Sequence, residues 1–231
     1  MEKEGKIVII EGTSCVGKTT LCNKLSENGW EILPEAIRYL EKETGKIGDE
    51  ASPIPGSQKE EEYYQDKLFE VEKNKIIEAN ELRKLGKNVV LDKSVLATIA
   101  TAKAFEKQKG FKGTFRRAIK KYIKMVQELK EQGYIECDVF LLLKADYNRI
   151  LERNLTRNHI LDGIWIKEET IHEQREVLEK IVNNLMGNRS FDDIKVENLD
   201  TTELTKEEVE EYFYKIINEK ERTKEEEIEL W

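Results

Sequence analysis

Ile7-Val8-Ile9-Ile10-Glu11-Gly12-Thr13-Ser14-Cys15-Val16-Gly17-Lys18-Thr19-Thr20-Leu21 is the stretch whose reading decides the fold. A short apolar run ends at an acid, a glycine-bearing turn follows, and Thr19 to Ser26, with apolar Leu21 and Leu25, reads as a helix. Gly12 to Thr19 satisfies the pattern G-x-x-x-x-G-K-[ST] at every fixed position, in the strand, loop and helix context that the pattern requires. The physical logic is specific. Glycines let the backbone wrap closely around phosphate, and amides at the helix start point at it with the helix dipole behind them. The nucleotide-contacting residues are therefore Gly12, Thr13, Ser14, Cys15, Val16, Gly17, Lys18, Thr19 and Thr20, with Cys15 at a position where the backbone does the binding. Lys18 adds a mobile point charge for the β- and γ-phosphates and the Thr19 hydroxyl is placed to ligate magnesium, so ATP and Mg2+ are the expected ligands.

Outward from this loop, short apolar runs alternate with longer helical patterns, the signature of a parallel sheet covered by helices. The expected strands are Ile7–Ile10, Trp30–Leu33, Asn88–Leu91, Val139–Leu143 and Ile194–Leu199; continuous apolar character in the first, third and fourth implies burial on both faces. The fold class is α/β: a three-layer P-loop NTPase fold, with a five-stranded parallel sheet flanked by helices and a helical lid. Phe115, Ile119, Tyr122, Val126 and Leu129 share one face of an amphipathic helix, and Tyr64, Leu68, Val71, Ile76, Ala79 and Leu82 follow a looser version closed by Gly86. Thr205 and Glu208 form a capping-box pattern before Val209, Tyr212, Phe213, Ile216 and Ile217. The stretch 44–59 collects Gly45, Gly48, Pro53, Pro55 and Gly56 with few apolar residues and reads as a flexible loop. One domain over 1–218, with a lid at about 149–166, and a charged tail over 219–231 complete the expected organisation; terminal Trp231 offers a docking group, and no internal repeat is present.

Composition removes several classes. The 231 residues carry a net charge of -8 with 37% charged side chains of both signs interleaved, which is a solvated surface and no polybasic footprint for nucleic acid. The longest apolar runs, Ile7–Ile10 and Val139–Leu143, are far short of the roughly 20 residues a bilayer requires. Met1-Glu2-Lys3-Glu4-Gly5-Lys6 lacks the basic and long apolar regions of a signal peptide, so a cytoplasmic location is expected. Cys15, Cys22 and Cys137, with only His159 and His172 beside them, build neither a disulfide framework nor a four-ligand zinc site. Cys22 and Cys137 read as buried structural thiols.

The loop motif leaves the reaction open among GTPases, motors, helicases and kinases. A guanine signature N/T-K-x-D is missing, since Asn23-Lys24-Leu25-Ser26 lacks the aspartate, and no D-x-x-G switch occurs. Ile10 to Leu21 resembles the opening of the thymidylate kinase and deoxynucleoside kinase group. Further segments follow in the same order. Leu33-Pro34-Glu35 lies where that group carries an acid beside the phosphate acceptor, and Arg38 one helical turn on completes a substrate-side pair. Val89-Val90-Leu91-Asp92-Lys93-Ser94 resembles the third strand that ends in Asp-Arg or Glu-Arg, with lysine here in place of arginine. Val139 to Asp146 followed by Arg149, Arg153 and Arg157 resembles the fourth strand and an arginine-bearing lid, and Asn198-Leu199-Asp200-Thr201 resembles the loop that borders the adenine. The resemblance covers most of residues 6–218 and is specific only at the phosphate loop.

Two departures weigh against the usual thymidylate acceptor: Lys93 lacks the planar two-point clamp of arginine, and Gly163 after Asp162 stands where thymidylate kinases often have a second Asp-Arg. Pro34-Glu35-Ala36-Ile37-Arg38-Tyr39-Leu40 is also similar to a segment of nicotinamide riboside kinase-like P-loop ATPases. The expected activity is ATP-dependent transfer of the γ-phosphate to a nucleoside monophosphate or nucleoside. A P-loop ATPase or nucleotide-binding regulator without a small-molecule acceptor is the alternative, and a catalytically dead relative a third. For transfer, Lys18, Glu35, Asp92, Arg153 and Arg157 are the catalytic set, Glu35, Arg38 and Lys93 the acceptor-binding set, and Thr19 and Asp92 the metal-holding pair. Arg149, Arg153 and Arg157 recur every four residues, one ridge of a helix, with pairing to Glu152 as the bland alternative. His159 and His172 receive no chemistry. Pairing into a homodimer through helices follows by analogy with the same group.

Overall fold

Branched aliphatic runs build the centre of the molecule. The computed structural model describes residues 4–47, 54–157, 160–161, 163–187 and 194–218. The expected tail with Trp231, His159, Asp162 and the middle of the 44–59 loop therefore lie outside the described residues. Strands β1 (Ile7–Glu11), β2 (Glu31–Leu33), β3 (Val89–Asp92), β4 (Val139–Lys144) and β5 (Lys195–Asp200) form one parallel sheet in the order β2-β3-β1-β4-β5. Every expected strand is present, with ends displaced by at most about one residue. The three strands read as apolar throughout occupy the middle of the sheet, where both faces are covered.

The period of two in β1 splits its side chains between two cores. Ile7 and Ile9 join Val89, Leu91, Phe140 and Leu142 under helices α3 (Gln58–Lys84), α4 (Val95–Lys109), α5 (Thr114–Glu131) and α7 (Glu168–Gly187). Val8 and Ile10 join Val90, Leu141 and Leu143 under α1 (Lys18–Glu27) and α8 (Lys206–Asn218), where Trp30 meets Phe213 edge-on at 5.1 Å. Helices α2 (Ala36–Thr44) and α6 (Tyr147–Leu155) complete the set, followed by a short 3-10 turn at Gly163–Trp165.

Local chemistry sets the helix ends. Thr205 N donates to the Glu208 carboxylate at 2.8 Å while Glu208 N donates to Thr205 Oγ1 at 3.2 Å, the reciprocal cap expected for α8. A second such cap precedes α3, where Glu60 N donates to Ser57 Oγ at 3.3 Å and Gly56 N to Glu60 Oε2 at 2.7 Å. Gln58 and Lys59 therefore belong to α3 and not to the loop expected over 44–59; Thr44, likewise, is the last residue of α2. Helices α4 and α7 carried no sequence expectation.

Candidate functional site

The loop between β1 and α1 is shaped by close approach. Gly12 has φ +145°, and a Cβ there would stand 2.3 Å from the Leu143 carbonyl oxygen of the neighbouring strand. Gly17 (φ +105°) caps α1 without any side-chain cap bond, so the first-turn amides of α1 are left for an anion. Val16 is fully buried and anchors the loop in the core below it. Lys18 is 6% exposed and its ammonium donates to the Gly12 carbonyl at 2.8 Å and the Thr13 carbonyl at 2.6 Å, folded back over its own loop. Burial and the nearby Lys93 push this ammonium below the usual lysine range, against the pull of Asp92, Glu11 and Glu35.

This loop forms one wall of a cavity of about 440 Å³. Gly12, Thr13, Ser14, Cys15, Lys18 and Thr19 line it; Val16, Gly17 and Thr20 do not. The same cavity is lined by Glu35, at the N-terminus of α2, and Lys93, just past β3. Their side chains meet as an ion pair, 34% and 19% exposed. Burial alone would raise the Glu35 carboxyl, but Lys93, with help from Lys18 and Lys75, holds it below the usual range. Burial opposes the Lys93 charge in turn, and Glu35 outweighs it, so the ammonium lies above its ordinary value.

Lys93 occupies the left-handed region at φ 60°, unusual for a residue with a Cβ. Several bonds hold that turn. Its own N–H donates to the Ile10 carbonyl at 3.0 Å, and the Lys75 ammonium donates to the Asp92 and Lys93 carbonyls at 3.3 Å each. Lys75 is paired in turn with Glu72 at 3.1 Å, both almost sealed from solvent. On the far side Glu11, fully buried, accepts from Gly12 N (2.9 Å), Ser94 N (3.0 Å) and Ser94 Oγ (2.9 Å), which ties the phosphate loop to the start of α4. Burial raises the Glu11 carboxyl, opposed by those bonds and by Lys18 and Lys93.

Asp92 ends β3 opposite Ile10 and is 8% exposed. Its Oδ1 is buried with no hydrogen-bond partner among the described residues, and burial raises its carboxyl above the ordinary value. An orphaned carboxylate oxygen beside a phosphate loop whose Thr19 is exposed to the cavity fits a hydrated divalent cation.

The arginines separate. Arg149 pairs with Glu152 at 2.8 Å on the surface. Arg153 donates to Thr201 O at 2.5 Å, Thr201 Oγ1 at 3.0 Å and the Cys15 carbonyl at 3.5 Å; it clasps the phosphate loop to the segment after β5 and does not line the cavity. Arg157 does line it, exposed, with Nη1 3.4 Å from Cys15 Sγ. Arg38 sits at the rim, 52% exposed, with both Glu41 carboxylate oxygens 2.8 Å away. The structure thus brings Lys18, Thr19, Glu35, Arg38, Lys93 and Arg157 to one cavity, Asp92 directly before Lys93 in the chain, and keeps Arg153 outside.

Several site residues had no role in the sequence reading. Glu11 could have been found, because an acid ending a continuous apolar strand is a buried charge at the carboxyl end of a parallel sheet, where ligands bind. Asn154, 4% exposed, exchanges bonds of 2.9 Å with both the N–H and the carbonyl of Leu161 and so pins the segment after α6. Phe105 and Trp165 also line the cavity, edge to face at 5.8 Å, and the Trp165 indole N–H is buried without a partner among the described residues. Nothing in their sequence neighbourhood marks these two as cavity residues.

The AAA domain family profile matches residues 6–159 of the chain. No curated protein matches it. Among solved structures, thymidylate kinase from Candida albicans is similar with a TM-score of 0.65 at 16% identity, covering 93% of this chain and 91% of that one. Deoxyadenosine kinase from M. mycoides with bound dATP is similar with a TM-score of 0.63 at 17% identity, covering 93% of this chain and 100% of that one. The same enzyme with dCMP and a flexible dCDP gives 0.64 at 17% identity, covering 92% and 98%. No described helix is long and apolar enough to cross a membrane. The chain belongs to the AAA domain family, and its fold is that of the P-loop nucleoside and nucleotide kinases.

Proposed function

We propose that this protein transfers the γ-phosphate of ATP to a nucleoside or nucleoside monophosphate. The observation that carries the reading is a shared cavity: the phosphate loop with Lys18 and the Glu35–Lys93 pair line a single space of about 440 Å³, which would take a donor and an acceptor together. A protein that only binds or hydrolyses ATP has no need of that pair in the same space.

Phosphoryl transfer asks a protein mainly to align two ligands and to neutralise charge spreading over the transferred group. Lys18, released from the Gly12 and Thr13 carbonyls, would follow the donor's phosphates. Arg157 lines the same wall and would add charge from the lid. Arg153 would act through the loop that it clasps. Thr19 and Asp92 would hold magnesium, which when bound supplies charge neutralisation between the donor's phosphates. Glu35 and Lys93 would orient the acceptor, with Arg38 at the entrance.

The test is to incubate the protein with magnesium-ATP and a panel of nucleosides, nucleoside monophosphates and nicotinamide riboside, and to look by mass spectrometry for an acceptor heavier by one phosphate. Transfer is expected, and its loss in Lys18→Ala. Release of ADP that no acceptor stimulates would replace this reading with the regulatory ATPase.

A further inference from the structure

One stripe of α3 runs along the cavity: Glu61, Tyr64, Gln65, Leu68 and Glu72 line it at helical spacing. Glu72 marks one end of the stripe, beside Lys75 and the turn that carries Lys93. Gln65 stands about 10 Å back along the helix axis, a span comparable to a sugar joined to a ring. Phe105 and Trp165 line the same cavity and are tied to this level of α3 by a chain of contacts. Gln65 Nε2 lies 3.5 Å from the Thr114 carbonyl, Thr114 Oγ1 donates to the Phe111 carbonyl at 3.0 Å, Phe111 meets Phe105 edge to face at 6.4 Å, and Phe105 meets Trp165.

Glu61 is the anomaly of this stripe. It is 4% exposed, yet among the described residues no cation stands within ion-pair distance of it. Burial raises its carboxyl above the ordinary value, against the Gln65 bond and the more distant charges of Arg117 and Lys109. Oε1 accepts from Gln65 Nε2 at 2.9 Å, and among the described residues nothing donates to Oε2. Oε2 is not sealed inside the protein either, since the one sealed carboxylate oxygen without a partner among those residues is Asp92 Oδ1; it opens to the cavity. Gln65 is fixed in its orientation. Arg117 Nη1 donates to Gln65 Oε1 at 3.1 Å, and Arg117 is itself held by both Asp66 oxygens at 2.6 and 2.8 Å. The amide nitrogen therefore stays on Glu61 Oε1, and the carboxylate keeps one free oxygen for a ligand.

A buried carboxylate without a cation is costly unless the ligand supplies a donor. An imide N–H is flanked by two carbonyl oxygens, which would set their negative ends beside the carboxylate. An exocyclic amino group projects its hydrogens without such neighbours. Tyr64, Phe105 and Trp165 supply the aromatic surface on which a flat ring rests. Resting on the kinase reading above, we propose that Glu61 is a specificity-determining residue: its free Oε2 accepts from an exocyclic amino group on the acceptor's ring, so that amino-bearing bases are taken and their oxo counterparts refused.

The experiment measures kcat/KM of the full chain with magnesium-ATP for matched amino and oxo acceptors, cytidine with uridine and adenosine with inosine, each also as its 5′-monophosphate. The amino member of the preferred pair is expected to lead by about a hundredfold. Its deamino analogue, which lacks the amino group and adds no oxygen, is expected to fall at least about tenfold below it. Glu61→Gln keeps an oxygen for Gln65 Nε2 and turns its own amide nitrogen to the ligand. It is expected to shrink the lead at least about tenfold and to raise the rate of the oxo member, whereas a residue that merely props the cavity open would lower both members alike. An oxo member or a deamino analogue that matches the amino acceptor overturns the inference without any variant and leaves the kinase reading intact. So does a lead that survives in Glu61→Gln. Absence of transfer to any member, with ATP still bound, removes the kinase reading and this inference with it.

Discussion

Two lysine–glutamate pairs flank the same turn after β3, and they behave in opposite ways. Lys93–Glu35 faces the cavity, with 19% and 34% of the side chains exposed, and its carboxyl is held below the ordinary range. Lys75–Glu72 lies behind the turn, with 1% and 3% exposed, and burial pushes the Glu72 carboxyl up to about 7 in spite of Lys75. Pairing decides the first case and desolvation the second, although the partners are of the same types. The cavity pair is a charged wall that a ligand can use. The sealed pair gains its place by hydrogen-bonding the Asp92 and Lys93 carbonyls, so it sets the geometry of the pair in front of it.

The sharpest way to separate the two is to remove one carboxylate from each. Glu35→Gln should lower kcat for a hydroxyl acceptor by about a hundredfold to ten-thousandfold, with KM much less affected and stability changed by about 0.5 kcal/mol or less. Steady-state rates and denaturant unfolding of one preparation give both numbers, and a variant that unfolds easily but turns over normally would exchange the roles of the pairs. Lys75→Met should act the other way. It leaves two carbonyls without a donor and Glu72 without its cation, a loss of about 3–5 kcal/mol in urea unfolding. Lys75→Met combined with Glu72→Met should recover much of that loss, because no charge is then left buried.

Proton linkage gives a smaller and independent contrast. The Glu72 carboxyl stands at about 7 in the folded chain against an ordinary 4.5. Between those values the folded state holds more proton than the unfolded one, so this group's contribution to stability is greatest below pH 4.5 and is lost as pH rises toward 7. One proton allows a slope of at most about 1.4 kcal/mol per pH unit. Glu72→Gln should flatten the fall in that window, measured by unfolding at several pH values. Glu35 carries the opposite sign, since its carboxyl is lowered: its contribution is present above the ordinary carboxyl value and is lost as pH falls through the lowered one. Equal slopes in wild type and Glu72→Gln would show that Lys75 keeps Glu72 ionised after all.

The sequence shows one of these pairs and hides the other, for a physical reason. Glu35 and Lys93 stand just beyond two strands whose apolar runs are legible, and residues at the carboxyl ends of parallel strands gather at one edge of the sheet. Lys75 and Glu72 stand in Glu70-Val71-Glu72-Lys73-Asn74-Lys75, a charge run that reads as a solvated helix face until the fold turns it inward. Helix α4 escaped for a related cause. Val95-Leu96-Ala97-Thr98-Ile99-Ala100-Thr101-Ala102 is small or apolar nearly all round because α4 packs on other helices and on the cavity at once, so no stripe repeats at helical spacing. The amphipathic α5, with one face in water, was plain. Arg153 and Arg157 lie four apart and look alike in sequence; only the approach of Thr201, 48 residues away, turns one onto the loop and leaves the other at the cavity.

Lys93 itself offers the finest division, because it combines an ion pair with a left-handed backbone at φ 60°. Replacing it by alanine removes the pair but keeps a Cβ in that conformation, whereas glycine removes both the pair and the strain. The two variants lose Glu35's partner equally, so the difference between them reports the turn alone. Lys93→Gly should be more stable than Lys93→Ala by about 1 kcal/mol in urea unfolding, and both should impair acceptor turnover to a similar degree. Equal stability would mean that the bonds from Lys75 and to Ile10 follow a turn that is comfortable by itself, and the sealed pair would lose its role as the clamp behind the cavity.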